Sequence, residues 1–186
     1  MKWGQASKNM TIPKGKIPNI ITVSRMLLVL MDAIAIIQDR KGNVILFGLA
    51  WIYLSDMLDG YIARKLHAES ILGRHLDVLA DGLYTIGFTA VFTYSTSLSP
   101  AVLLSIVIEY LVFIFTAKKL ASKGHGIYDA IGKSAAVYYY LFTGVLTIIW
   151  VKEMRAEILI GYLSGICIVL TVIGCACRIK LICKKT

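Results

Sequence analysis

Six continuous apolar stretches recur along this chain, each about the 20 residues that a helix needs to cross a bilayer. They run over Ile17–Gln38, Val44–Ala63, Leu76–Tyr94, Ser99–Ala117, Ala130–Val151 and Glu157–Arg178. A membrane-spanning strand would instead alternate apolar and polar residues over roughly ten positions. Irregular chain cannot cross hydrocarbon with its amides unpaired. The expected fold is therefore an all-α integral membrane domain of six transmembrane helices over residues 17–186, with a basic juxtamembrane segment over residues 1–16. A 58% hydrophobic share in 186 residues excludes an ordinary water-soluble domain. The first stretch reads as a retained helix and not a cleaved signal, because it is long, carries Arg25 and Asp32, and ends without a small-residue cleavage pattern.

Charge gives the expected orientation. Of the 20 Lys and Arg residues, only Arg40, Lys41, Lys152 and Arg155 fall on one side of the alternating segments. The remaining sixteen flank the other ends. The positive-inside tendency then places both termini in the cytoplasm, within a multi-pass protein of the cell membrane. The net charge of +9 is accordingly read as contact with membrane lipid, and no nucleic acid is expected. Lys2, Lys8, Lys14 and Lys16, with no acid before Asp32, suit a segment lying on anionic headgroups. Cys167, Cys175, Cys177 and Cys183 lack zinc-site spacing and are read as reduced thiols.

Within this apolar background the acids stand out. Asp56, Asp59, Asp77 and Asp81 lie at the cytoplasmic ends of the second and third segments, in the order D-x2-D-G-x2-A-R-x8-G-x3-D-x3-D. Each pair is three or four residues apart, so each occupies one helix face. The short connection allows antiparallel neighbours with all four carboxylates lining one cavity. A carboxylate at membrane depth costs about 2.5–3.5 kcal/mol on insertion scales, so the group demands counter-charge. Hard oxygen donors without His or Cys suit two Mg2+ or Mn2+ ions, which also share substrate phosphates. Gly60 and Gly73 permit close approach of a phosphate to the backbone. Ala63 keeps the face low, Arg64 offers a planar fork to phosphate oxygens, and Arg74 beside Gly73 is a further phosphate candidate.

The stretch from Asp56 to Asp81 resembles the signature of the CDP-alcohol phosphotransferases, with every fixed position and spacing present. That resemblance implies six transmembrane helices, a homodimer, and transfer of a phosphoryl-linked group from a CDP-alcohol to an acceptor hydroxyl with release of CMP. It implies that Asp56, Asp59, Asp77 and Asp81 bind two divalent ions and that Asp81 is the catalytic base. Gly60, Ala63 and Gly73 would line the nucleotide pocket, with Arg64 on its phosphate. CDP-diacylglycerol is the expected donor and an alcohol the acceptor.

For the acceptor, Pro18-Asn19-x-x-Thr22-x-x-Arg25 is similar to the opening of the phosphatidylglycerophosphate synthase and cardiolipin synthase branch. Asn19, Thr22 and Arg25 recur every three residues and are read as one polar face towards the acceptor, best assigned as glycerol 3-phosphate. Phosphatidylglycerol, an inositol phosphate or serine are the alternatives, and a divalent-cation transporter is the rival from another class. Two positions depart from the branch: Gly82 follows Asp81 where lysine is usual, and Ile108 precedes Glu109 where arginine is. Lys118 and Lys133 could supply the anion-binding charge instead. Glu109, near the middle of the fourth segment, is expected to hydrogen-bond across helices to Tyr138, Tyr139 or Tyr140, whereas Asp32 has no assigned role.

Overall fold

The computed structural model describes residues 16–65, 71–96, 98–121 and 130–185. Six helices account for nearly all of them: α1 Lys16–Ile37, α2 Asn43–Lys65, α3 Ile71–Ser95, α4 Pro100–Ala121, α5 Ala130–Val151 and α6 Glu157–Lys185. Each contains a segment long and apolar enough to cross a membrane, and no strand occurs among the described residues. Three helices outrun the expected spans by four residues or more, α4 among them in running to Ala121 and not Ala117. α3 begins at Ile71 and not Leu76, and α6 continues past Arg178 to Lys185. The extensions of α3 and α6 mix apolar and basic residues.

The third helix is the hub, packing against α1, α4 and α5, while α6 lies against α4 and α5. α1 shows the underlying pattern. Thr22, Arg25, Val29, Asp32 and Ile36 are buried at intervals of three and four residues, whereas Ile20, Val23, Leu27, Leu30, Met31 and Ile34 face outward. The face turned inward is thus the more polar one, as expected where lipid surrounds the bundle and hydroxyls and charges gather inside. Along α3, Thr85, Thr89, Thr93 and Thr96 donate in turn to Asp81 O, Thr85 O, Thr89 O and Phe92 O at 2.5–2.8 Å. Each hydroxyl is satisfied by its own helix and needs no partner across the bilayer interior.

At one end of the bundle the α1–α2 and α5–α6 turns meet. Asp39 and Glu153 adopt left-handed φ values of 52° and 53°. Arg40 N donates to Ala35 O at 2.9 Å and Met154 N to Ile149 O at 3.0 Å, so α1 and α5 end in the same Schellman turn. Lys41 Nζ reaches Glu153 at 3.1 Å and Asp39 at 3.6 Å. The Glu153 carboxylate, with Asp39, holds this ammonium above its usual range. Being solvent-exposed, the contact marks which turns are neighbours and adds little stability.

The two deep acids have distinct settings. Asp32 is buried against Gly48 of α2, where an added Cβ would stand 2.7 Å from Oδ1, and its Oδ2 has no hydrogen-bond partner. Glu109 makes its cross-helix contacts with α6. It pairs with Arg178 Nη1 of α6 at 2.8 Å and accepts from Cys175 Sγ at 3.4 Å, with Gly174 leaving room for the carboxylate. Tyr139 bonds Thr171 at 2.8 Å instead. A cation two turns from the end of α6 outcompetes neutral phenols for a buried acid. All four cysteines are free thiols. Because desolvating a buried ion pair offsets its attraction, the double variant Glu109→Leu with Arg178→Met should melt within a few degrees of the wild type, while either single change melts clearly lower. Thermal melts in detergent check both expectations.

Candidate active site

The site lies between α1, α2 and α3, at the end of the bundle opposite the Lys41–Glu153 contact. Asp56 and Asp59 are on the third- and second-last turns of α2, and Asp77 and Asp81 on the second and third turns of α3. The expected convergence of the four carboxylates is present, and their common centre is the guanidinium of Arg25, 1% exposed. Arg25 Nη1 donates to Asp56 Oδ1 and lies 3.6 Å from Asp81 Oδ1, while Nη2 lies 3.6 Å from both Asp59 Oδ2 and Asp77 Oδ1. Thr22, one turn earlier on α1, places Oγ1 2.9 Å from Asp59 Oδ2 and 3.2 Å from Asp77 Oδ1. A single hydroxyl proton therefore serves two carboxylates from opposite helices.

Thr22 and Arg25, on the polar face of α1, are engaged by the aspartates of α2 and α3. Asn19 is half-buried on the same helix face, nearer the end of the bundle. Gly60 and Gly73 are half-buried beside the two carboxylate pairs. The side chains of Ala63, Arg64, Arg74, Lys118 and Lys133 lie outside the described residues.

Charge and donor chemistry test the fit of a divalent metal. Four carboxylates face one guanidinium, leaving an excess of negative charge, with Asp59 buried and Asp56, Asp77 and Asp81 partly exposed. Asp81 Oδ1 is buried without a hydrogen-bond donor. Oxygen-only donors with spare negative charge fit Mg2+ or Mn2+. Among the described residues, no three acidic, histidine or cysteine side chains are drawn closely enough together to form a metal cage by themselves.

Three tyrosines form a layer one turn deeper than the acids, not anticipated from the sequence. Tyr53 precedes Asp56 by three residues and Tyr84 follows Asp81 by three, so both share a face with the acids. Tyr140 of α5 completes the layer, with ring centroids 4.9 Å from Tyr53 and 4.6 Å from Tyr84. Tyr53 Oη donates to Tyr140 O at 2.8 Å, in space left by Gly144. These rings separate the charged cavity from Phe88 and Phe92 below. The available signal was the helical spacing of Tyr53 and Tyr84 from the aspartates.

Comparison with known proteins agrees with the geometry. The sequence model of the CDP-alcohol phosphatidyltransferase family matches residues 15–176. A CDP-diacylglycerol–glycerol-3-phosphate 3-phosphatidyltransferase from Aquifex aeolicus (strain VF5) is 30% identical over 79 residues, covering 42% of this chain and 43% of that protein. The chain thus aligns with less than half the length of that curated relative. No solved structure matches.

Proposed function

The chain belongs to the CDP-alcohol phosphatidyltransferase family, and on that premise we propose that it moves a phosphatidyl group from CDP-diacylglycerol to glycerol 3-phosphate, releasing CMP. The observation that carries this reading is the gathering of Asp56, Asp59, Asp77 and Asp81 around Arg25. Glycerol 3-phosphate is the acceptor named for the Aquifex relative, and the polar opening of α1 supports the same choice. We place the site at the cytoplasmic face of the cell membrane, where the nucleotide and a soluble acceptor come from water while the diacyl chains stay in lipid.

Asp56, Asp59, Asp77 and Asp81 would hold two Mg2+ or Mn2+ ions, whose chemistry is to polarise the donor phosphorus and stabilise the departing CMP oxygen. Arg25 and Thr22 keep the carboxylates of α2 and α3 in one cluster. Asp81 is the proposed base, because its Oδ1 lacks a hydrogen-bond donor and can accept the proton of the attacking hydroxyl. The new O–P bond forms as the P–O bond to CMP breaks. Gly60, Ala63 and Gly73 would line the nucleotide, with Arg64 and Arg74 on its phosphates, and Asn19, Lys118 and Lys133 are the candidates for binding the acceptor. A cation-transport reading would need acids aligned across the membrane, but Glu109 is tied to Arg178 and Asp32 is packed on Gly48.

The decisive measurement incubates purified protein with CDP-diacylglycerol, Mg2+ or Mn2+, and separate acceptors, following CMP and the lipid product. CMP release dependent on both the cation and glycerol 3-phosphate is expected. Release with phosphatidylglycerol, an inositol phosphate or serine alone would move the assignment within the family, and no release with any acceptor would overturn it.

A further inference from the structure

Tyr110 of α4 reaches across to the stretch of α3 that carries the acids. Its hydroxyl donates to the carbonyl of Val78, which sits between Asp77 and Asp81 in the sequence. In a regular helix that carbonyl also accepts from the amide of residue 82, so the phenol binds α3 at the turn linking the two aspartates. Residue 82 is glycine, and the contact explains why. A Cβ there would stand 2.5 Å from Tyr110 Oη, 2.6 Å from Cζ and 3.1 Å from Cε1. No side chain fits unless the ring withdraws and the hydroxyl gives up Val78. Glycine inside a helix costs about 0.5–1 kcal/mol relative to alanine, so its presence beside Asp81 needs such a local reason. The neighbouring residue, Glu109, fastens the same turn of α4 to Arg178 of α6. α4 is thereby held on both sides at the level of Tyr110.

We propose that Tyr110 is a positioning residue for Asp77 and Asp81: seated on Gly82 and bonded to Val78 O, it fixes the rotation and height of the α3 turn that presents both carboxylates to the site. The inference rests on the reading of the aspartates as a divalent-cation site. Tyr110 touches neither substrate nor ion in this scheme. Its effect passes through the backbone of α3, as with other outer groups that orient metal-binding carboxylates.

Two variants attack the contact from opposite sides: Tyr110→Phe keeps the ring and removes the donor, and Gly82→Ala keeps the donor and displaces the ring. Mn2+ affinity of the substrate-free protein is measured by calorimetry, alongside the cation dependence of CMP release and a thermal melt. Each variant should bind Mn2+ about tenfold more weakly. The cation concentration for half-maximal rate should rise in parallel, with kcat at saturating cation little changed. The double variant should be no weaker than the weaker single one, since both remove one contact. Wild-type affinity in both variants, or losses that multiply in the double, would overturn the role of Tyr110 while leaving the site reading intact. Failure of the wild-type protein itself to bind Mn2+ would overturn both.

Discussion

Asp81→Asn is expected to lower CMP release by about 10²–10⁴-fold, the range that a positioned base contributes. The substitution is nearly isosteric, so the cavity keeps its shape while losing one negative charge and its proton acceptor. Because Asp81 Oδ1 is buried without a donor in the native protein, the fold has little to lose. The amide should leave the melting temperature at or above that of the wild type, since it relieves repulsion among four acids. Loss of turnover at unchanged stability separates a chemical role from a structural one. Retained turnover would transfer the base to another residue.

Arg25→Ala should act in the opposite sense, mainly on stability. Arg25 is buried at the meeting point of three helices and faces all four aspartates. Removing one partner of a buried ion cluster costs about 3–5 kcal/mol, because the opposite charges are left uncompensated. In a chain of this size that corresponds to a fall in melting temperature of roughly 10 °C. Mg2+ or Mn2+ should then raise the melting point of the variant more than that of the wild type, as added cations offset the same repulsion. Arg25→Lys should lie between them, retaining charge without the fork that reaches both α2 and α3. A variant that melts like the wild type would show that Arg25 is dispensable as counter-charge.

Much of this architecture was legible in the sequence for a simple reason: a bilayer admits few solutions. Continuous apolar stretches set the number of helices, and their lengths placed all six boundaries at the Lys41–Glu153 end within one residue. The other end was harder, because turns such as Ile71–His75, which mix apolar and basic residues, continue a helix past the unbroken apolar run. Spacing of three and four residues was enough to bring Asp56, Asp59, Asp77 and Asp81 together. What spacing could not supply was the partner across helices. Arg25 belonged visibly to the polar face of α1, yet nothing local in the sequence said that its guanidinium would enter the aspartate cluster. Glu109 was assigned to tyrosines of α5, but its partner lies 69 positions along the chain, in α6. Tyr110 was overlooked because it adjoins the more conspicuous acid.

The inverted polarity of α1 bears on how the protein is made. Synthesised before α2 and α3, α1 must enter the membrane with Arg25 and Asp32 on one face, each costing a few kcal/mol against the favourable leucines and isoleucines around it. The groups that compensate Arg25 belong to α2 and α3, which are synthesised later. Until then α1 is best accommodated at the bilayer margin or beside the insertion machinery, with its arginine reaching for headgroups. The place of α1 in the bundle is therefore secured only after α3 has arrived.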